Sequence, residues 1–462
     1  MRANARFALL AVAMLACAAR PDAAGAPVTV IRNVTVIDGT GAAPRPNLDV
    51  VIAGETIAAI EPAGRSYGAE ATVIDGTGKY VIPGLVDMHA HLLVNHTNEK
   101  GEVAPRYDQA ATIDHLALFL RYGVTTVRDP GSRTADAVLF RRLVAEGKIA
   151  GPTIFTAGRI LNSSNFNPEP FVITKDERAI RDEIHFQAAA GVDFVKVYSS
   201  MTPDLLKVAV DEARRHQLPV VGHVQRTTWT EAARLGIAGI EHAAPWSREY
   251  VREADREAMP GSMFGRVYWL EHLDQSAIDE MVAELARHRV VVDPTLMAMH
   301  TKFWGDDPRW TKNPELSEVS EAVRTSWTNG RFTGDWTPEQ YARAQRSWPV
   351  LLGLTKAMYD RGVHLVAGTD TPTPWIVPGA SLHSELELLA DAGIPPLQVL
   401  HIATQSAAKA LRREQEFGAV LPGLRADLIL LSKNPLDAIG NTRSIELVFQ
   451  RGRAVHRARG ER

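Results

Sequence analysis

Apolar and polar positions change rhythm twice along the chain. From Val28 to Pro83 the runs are short: "VTVIRNVTVID", "LDVVIAGETIAAI" and "ATVIDGTGKYVI" are rich in Val, Ile and Thr. Gly, Asp, Asn and Pro punctuate them, which is the texture of strands joined by tight turns. The far end repeats it in "ADLILLS" and "IELVFQRGRAVH". Two β-rich ends around a long middle predict one small β-sandwich built from both termini, residues 27–83 and 411–462.

The middle, residues 84–410, alternates short apolar runs with helix-period segments. That alternation signals β/α repeats and a parallel sheet. Eight runs qualify as strands: "LVDMHAHL" at 85–92, "VTTVRD" at 124–129, "TIFTAG" at 153–158, "DFVKVY" at 193–198, "PVVGHV" at 219–224, "GIEHA" at 239–243, "VVVDPTL" at 290–296 and "HLVAGTD" at 364–370. Stretches such as "PDLLKVAVDEARRHQ" supply the helices between them. The predicted fold class is therefore α/β, a (β/α)8 TIM barrel with a small β-sandwich domain. Two connections, 244–289 and 297–363, are long. They leave the C-terminal face of the barrel, where loops line active sites. Trp304, Trp310, Trp327, Trp336 and Trp348 fall on the second one. They read first as packing for the insertion and second as a pocket wall.

Composition is that of a globular protein, and the formal charge of -3 over 462 residues offers no basic surface for nucleic acid. The first 26 residues differ. Arg2 and Arg6 precede 13 apolar residues, Phe7 to Ala19, and Ala24-Gly25-Ala26 supplies small residues for cleavage. This is the layout of a secretory signal, with an apolar run too short to span a bilayer. Its removal takes the formal charge to -5, since Arg2, Arg6, Arg20 and Asp22 go with it. The expectation is an exported protein, periplasmic or secreted. Cys17 is the sole cysteine, so the mature chain would hold no thiol. Met14-Leu15-Ala16-Cys17 carries the alternative, lipidation at Cys17 and a lipid anchor.

Polar residues of the right chemistry gather at the strand ends. His89 and His91 are two apart on one strand and so share a face, from which two imidazoles can grip one metal. Alone, such a pair is a weak signal. Lys196 sits between Val195 and Val197, where an amine is costly to bury unless paired or modified. His223, His242 and Asp370 end the fifth, sixth and eighth strands. Four histidines, a lysine and an aspartate on the catalytic face of one barrel form a candidate metal site. His185, His216 and His288 lie in helix-like stretches and read as solvated. His383 and Glu385 read as helix residues, or else as partners of a ligand histidine.

"VIPGLVDMHAHL", "GVTTVRD", "DFVKVY", "VVGHV", "GIEH" and "AGTD", with the ending "GAVLPGLRADLILLSKNPL", resemble the motif series of the amidohydrolase superfamily. The likeness is nearest to its imidazolonepropionase-related and prolidase-like members. It implies that His89, His91 and Asp370 bind one divalent ion and that His223 and His242 bind a second, with zinc as the default metal. It further implies that Lys196 carries a carbon dioxide-derived carbamate bridging both ions. The resemblance then points to a metal-bridging hydroxide attacking an amide of a dipeptide or N-acyl amino acid, with Asp370 as general acid/base. Tyr198, on the face of Lys196, is placed either to hydrogen-bond the oxyanion or substrate, or to serve as a structural rim residue. Arg128 is placed either to hold a substrate carboxylate or to stabilise the barrel. A cyclic amide, lactone or ester hydrolase using the same centre is the alternative. Deamination is disfavoured, because His223-Val224-Gln225-Arg226 lacks the glutamate usual in H-x-x-E. A catalytically silent metal-binding scaffold is the reading from another class.

Overall fold

The computed structural model describes residues 27–458 except 94, 98–102, 165–169, 261–264 and 329–335. The leader and Cys17 lie outside the described residues.

Eight parallel strands form where the sequence places them: β1 (Leu85–Asp87), β2 (Val124–Asp129), β3 (Thr153–Thr156), β4 (Val195–Val197), β5 (Val220–Gly222), β6 (Gly239–Glu241), β7 (Val291–Asp293) and β8 (His364–Leu365). Strands β1, β2 and β3 pair in one run and β4 to β8 in another. Backbone hydrogen bonds close the ring. Met88 N–H donates to the Ala367 carbonyl at 2.9 Å, and Asp370 N–H donates to the His89 carbonyl at 2.8 Å, joining β8 to β1. On the other side Asp193 N–H donates to the Thr156 carbonyl at 2.9 Å, and strand Ile160–Asn162 pairs with β4. The barrel is thus closed with no free edge at its centre. Val86, Met88, Phe155, Phe194, Val221 and Val366 pack together as one apolar cluster. Such filling makes a barrel interior a packed core rather than a pore.

The chain ends form one mostly antiparallel sheet. Strands Val28–Val36, Arg45–Ala53, Thr56–Pro62, Thr72–Asp75 and Tyr80–Pro83 come from the N-terminal end. Leu428–Leu431, Ile445–Gln450 and Arg453–Arg457 come from the other. The two halves join where Tyr80–Pro83 pairs antiparallel with Leu428–Leu431. Period-two alternation divides their side chains. Val81, Leu428 and Leu430 enter the sheet's own core with Ile31, Val34, Val50, Ile52 and Phe449. Ile82, Ile429 and Leu431 join the barrel core instead. The sheet curls on itself: Ile57 N–H donates to Leu424 O and Ala426 N–H to Glu55 O, both at 2.8 Å. The two layers of the expected sandwich therefore belong to one continuous sheet.

The long connections are helical. Gly265–Glu271 and Gln275–Arg287 follow β6, and Leu296–Phe303 and Pro338–Asp360 follow β7. Thr337 and Gln340 form a capping box that starts the last of these. The tryptophans pack as the composition suggests. His300 stacks on Trp304 at 4.2 Å and meets the edges of Trp310 and Trp348 at 5.3 and 4.9 Å. Trp327 donates its indole N–H to Pro372 O at 2.8 Å.

Candidate metal centre

β1 ends where Asp87 ties it to the end of β8. The Asp87 carboxylate accepts from His89 N–H at 3.0 Å, from Thr369 N–H at 3.1 Å and from the Thr369 hydroxyl at 2.8 Å. Beyond this clamp His89 and His91 both face the barrel mouth. His89 Nε2 lies 3.4 Å from Asp370 Oδ1, and His91 Nε2 lies 3.5 Å from the same oxygen. Their other nitrogens are held. His91 Nδ1–H donates to Gly131 O at 2.9 Å, and His89 Nδ1 meets Glu241 Oε2 at 2.8 Å. A carboxylate only accepts, so His89 carries its proton on Nδ1 and keeps the Nε2 lone pair toward Asp370.

Alternation along β6 turns Glu241 inward and would turn His242 away. His242 instead has φ +75°, a left-handed conformation that swings its ring back into the site. Its ring lies 5.2 Å from His89 and 4.4 Å from His223, centroid to centroid. Thr295, also left-handed, holds His242 Nδ1 through its hydroxyl at 2.8 Å. Asp370 has φ +64°. Ligand atoms of His89, His242 and Asp370 all lie within 4.8 Å of one another. His223 contacts the Gln225 amide through Nε2 at 2.9 Å, which leaves its Nδ1 for a ligand.

Beneath these ligands lies a set of buried charges. Lys196 is 2% exposed, and its Nζ has no hydrogen-bond partner among the described residues. The carboxylate oxygen paired with it is Glu241 Oε1, at 3.7 Å. Burial pushes the amine down to about 8, with Glu241 opposing. Glu241 also accepts from Arg128 Nη2 at 2.8 and 2.9 Å. Burial works against the Glu241 charge, yet Arg128, Lys196 and His89 together hold it well below the carboxylate range. Asp293, on β7, has two buried oxygens without a hydrogen-bond partner among the described residues and is pushed well up by burial and by Glu241. Gly368 makes room for it, because a Cβ there would lie 2.3 Å from Asp293 Oδ2 and 2.7 Å from His89.

The electrostatics leave three of the imidazoles ready for a cation, while, against the cost of burial, Asp370, Asp129 and the Gly131 carbonyl raise His91. Burial drives His223 and His242 well below their usual value and His89 down to about 4, so all three are neutral near pH 7. Against the cost of burial, His89, His91 and Lys302 hold Asp370 at about 2, ionised. Three neutral imidazoles, an ionised carboxylate and a buried amine that makes no hydrogen bond among the described residues fit a pair of divalent ions.

Every metal-ligand residue expected from the sequence is brought to this one face. Tyr198 joins them, its ring 4.7 Å from His223, and its phenol is pushed up to about 12 by burial and Asp370, so it keeps its proton. Arg128 does not reach the rim. It is 4% exposed, spends Nη2 on Glu241 and donates Nε–H to Met88 O at 2.6 Å, which corrects the placement at a substrate carboxylate. His383 and Glu385 are structural: His383 bonds Thr442 and Tyr122, and Glu385 accepts from Leu296 and Met297 N–H at the start of a helix. Glu241, Asp293, Gln225 and Thr295 are additions. The first two carried the signal used for Lys196, a charge inside an apolar strand.

The amidohydrolase family profile matches residues 80–455. The chain is 24% identical over 446 residues to adenine deaminase 3 of Rhizobium meliloti, spanning 92% of this chain and 57% of that protein. It is 24% identical over 378 residues to imidazolonepropionase of Bacillus velezensis, spanning 79% of each. In structure it is similar to a Xaa-Pro dipeptidase with methionine bound in its active site, with a TM-score of 0.69, 20% identity, and coverage of 93% of this chain and 100% of that one. The chain covers less than two thirds of the length of the curated relatives that it matches first.

Proposed function

The chain belongs to the amidohydrolase family, and on that premise we propose that it is an exported, metal-dependent hydrolase cleaving an amide bond in a small substrate, a dipeptide or an N-acyl amino acid. The observation that carries the reading is the convergence of four histidines and Asp370 above the buried Lys196 amine, which makes no hydrogen bond among the described residues. The fold shared with a Xaa-Pro dipeptidase supports peptide-like amides over other substrates of the same chemistry.

In this reading His89, His91 and Asp370 would hold one divalent ion and His223 and His242 the other, with zinc suited to these nitrogen and oxygen donors. Bound metal supplies a water acidic enough to attack at neutral pH and a Lewis acid for the substrate carbonyl. Lys196 completes the centre as a carbamate. Its neutral amine would attack the carbon of carbon dioxide: the nitrogen–carbon bond forms as one carbon–oxygen π bond opens onto oxygen, the nitrogen's surplus proton passes to water, and the buried site gains an anion. Incorporation of isotope-labelled bicarbonate into the metal-loaded protein at Lys196 checks this, and a bare amine in the active protein contradicts it. Asp370, ionised and beside both His89 and His91, accepts the proton released during attack and returns it to the leaving nitrogen. Tyr198, protonated at neutral pH, donates a hydrogen bond to the developing oxyanion.

Export rests on the leader, residues 1–26, with cleavage after Ala26. Among the described residues no helix is long and apolar enough to cross a membrane. Sequencing the N-terminus of protein recovered from its native cells decides the matter. Pro27 supports soluble export, a lipid-modified Cys17 supports an anchor, and Met1 overturns both.

The test of function is a panel offered to zinc-loaded mature protein: Xaa-Pro, Xaa-Arg and Xaa-hydrophobic dipeptides, N-acyl amino acids, lactones and esters. Cleavage of peptide or N-acyl bonds, with ester turnover secondary, is expected. Silence on every amide with turnover of lactones or esters would move the function to those substrates.

A further inference from the structure

The helices after β6 and β7 carry two cations that the metal centre does not use. Arg266 lies on Gly265–Glu271 and Lys302 on Leu296–Phe303. The second helix begins at Thr295, the residue whose hydroxyl holds His242. Met299 and Lys302 are three residues apart and so share a face of that helix. Arg266 reaches this face, its Nη1 lying 3.4 Å from Met299 Sδ and its guanidinium 4.9 Å from the centroid of the Trp246 ring. Two positive groups therefore lie along the helix whose first residue borders on Thr295, whose hydroxyl holds His242.

Neither is paired with a carboxylate among the described residues. The contrast with Arg128 is sharp: Arg128 is buried and matched by Glu241, whereas Arg266 and Lys302 are only partly buried and open toward solvent. The two cations sit close enough to oppose each other: burial and then Arg266 push the Lys302 amine down to about 8. Holding two like charges close together in a partly shielded place without a counterion is unfavourable, and an arriving anion relieves it. A planar guanidinium beside a flexible ammonium suits a carboxylate, which accepts from both.

Resting on the function proposed above, we propose that Arg266 and Lys302 form the subsite for a carboxylate carried by the substrate. The preferred amide then belongs to a dipeptide or N-acyl amino acid with a free carboxylate, and its neutral amide, ester or lactone counterpart is a poor substrate. Arg266 and Lys302 set specificity and take no part in bond breaking.

The test compares kcat/KM for dipeptides and N-acyl amino acids with that for the same compounds capped as C-terminal amides. It is run on the zinc-loaded wild type, Arg266→Met and Lys302→Met. The wild type is expected to favour the free acids by about 100-fold, and each variant to lose about 10- to 100-fold on them through KM. The acid-to-amide ratio then collapses toward one. A wild-type ratio near one, or a ratio unchanged in both variants, overturns the subsite. A second readout needs no turnover: free amino acids should protect the zinc-loaded wild type from thermal unfolding more than amino acid amides do, and both variants should lose that difference. If no amide is hydrolysed but this protection pattern holds, the proposed reaction fails and the subsite stands. Equal protection of wild type and variants overturns the subsite itself.

Discussion

Glu241 does three jobs with one carboxylate: it neutralises Arg128, fixes the proton of His89 on Nδ1 and pairs with Lys196 at 3.7 Å. Removing it as Glu241→Ala leaves buried Arg128 with only the more distant Asp293 carboxylate, at 3.7 Å, and the expected loss is about 3 kcal/mol, read as a lower denaturant midpoint. Glu241→Gln keeps the shape and an acceptor but no longer holds His89 as a carboxylate does. Zinc affinity should fall about 10- to 100-fold by competition titration. Wild-type zinc affinity in Glu241→Gln would show that Glu241 is a structural counterion alone. At this scale the sequence was legible for residue type and less so for direction. His89, His91, Lys196, His223, His242 and Asp370 announce themselves by chemistry and by their place at strand ends. The inward aim of Arg128 does not, because strand alternation gives a face but not the depth at which a long side chain finds its partner.

Strand ends and helix starts do the positioning. Left-handed φ values at His242, Thr295 and Asp370 cost about 1–3 kcal/mol each and aim side chains that regular strands would direct elsewhere. No residue type in the sequence marks them, since none is glycine, so the pairing of His242 with Thr295 was not readable in advance. The strands and long helices were readable, because their periods and caps are local. The helix Ala380–Asp391 shows what lay between. His383 holds Thr442 Oγ1 at 2.8 Å and Tyr122 O at 3.0 Å, linking this helix to two other parts of the fold. Burial, helped by Arg443, takes His383 down to about 3. The unfolded chain titrates near 6.5, so the unfolded state binds the extra proton between these values. The stability due to the neutral ring is therefore fully present above about pH 6.5 and is lost as pH falls toward 3. His383→Gln should be less stable than the wild type at pH 7.5, and the gap in urea stability should narrow by about 1 to 2 kcal/mol at pH 5. A gap that stays constant with pH would contradict a buried neutral His383.

The whole molecule places a closed barrel against a sheet woven from both chain ends, so the first and last strands depend on each other through Tyr80–Pro83 and Leu428–Leu431. That arrangement was legible from the matching texture of the two ends. Its continuity as one curled sheet was not, because the closing contacts at Ile57–Leu424 and Ala426–Glu55 are backbone bonds between distant segments. The barrel brings six candidate ligands from five separate strand ends to one place, and the proposed amide hydrolysis requires that they hold a pair of metal ions. Titrating zinc into fully chelated protein while following hydrolysis of the best amide in the panel tests this most directly. Activity should be absent at the start and rise to a plateau at about two equivalents, the stoichiometry of a two-ion centre. Undiminished amide hydrolysis in the chelated protein, or a fully loaded protein that cleaves no amide, would contradict the account.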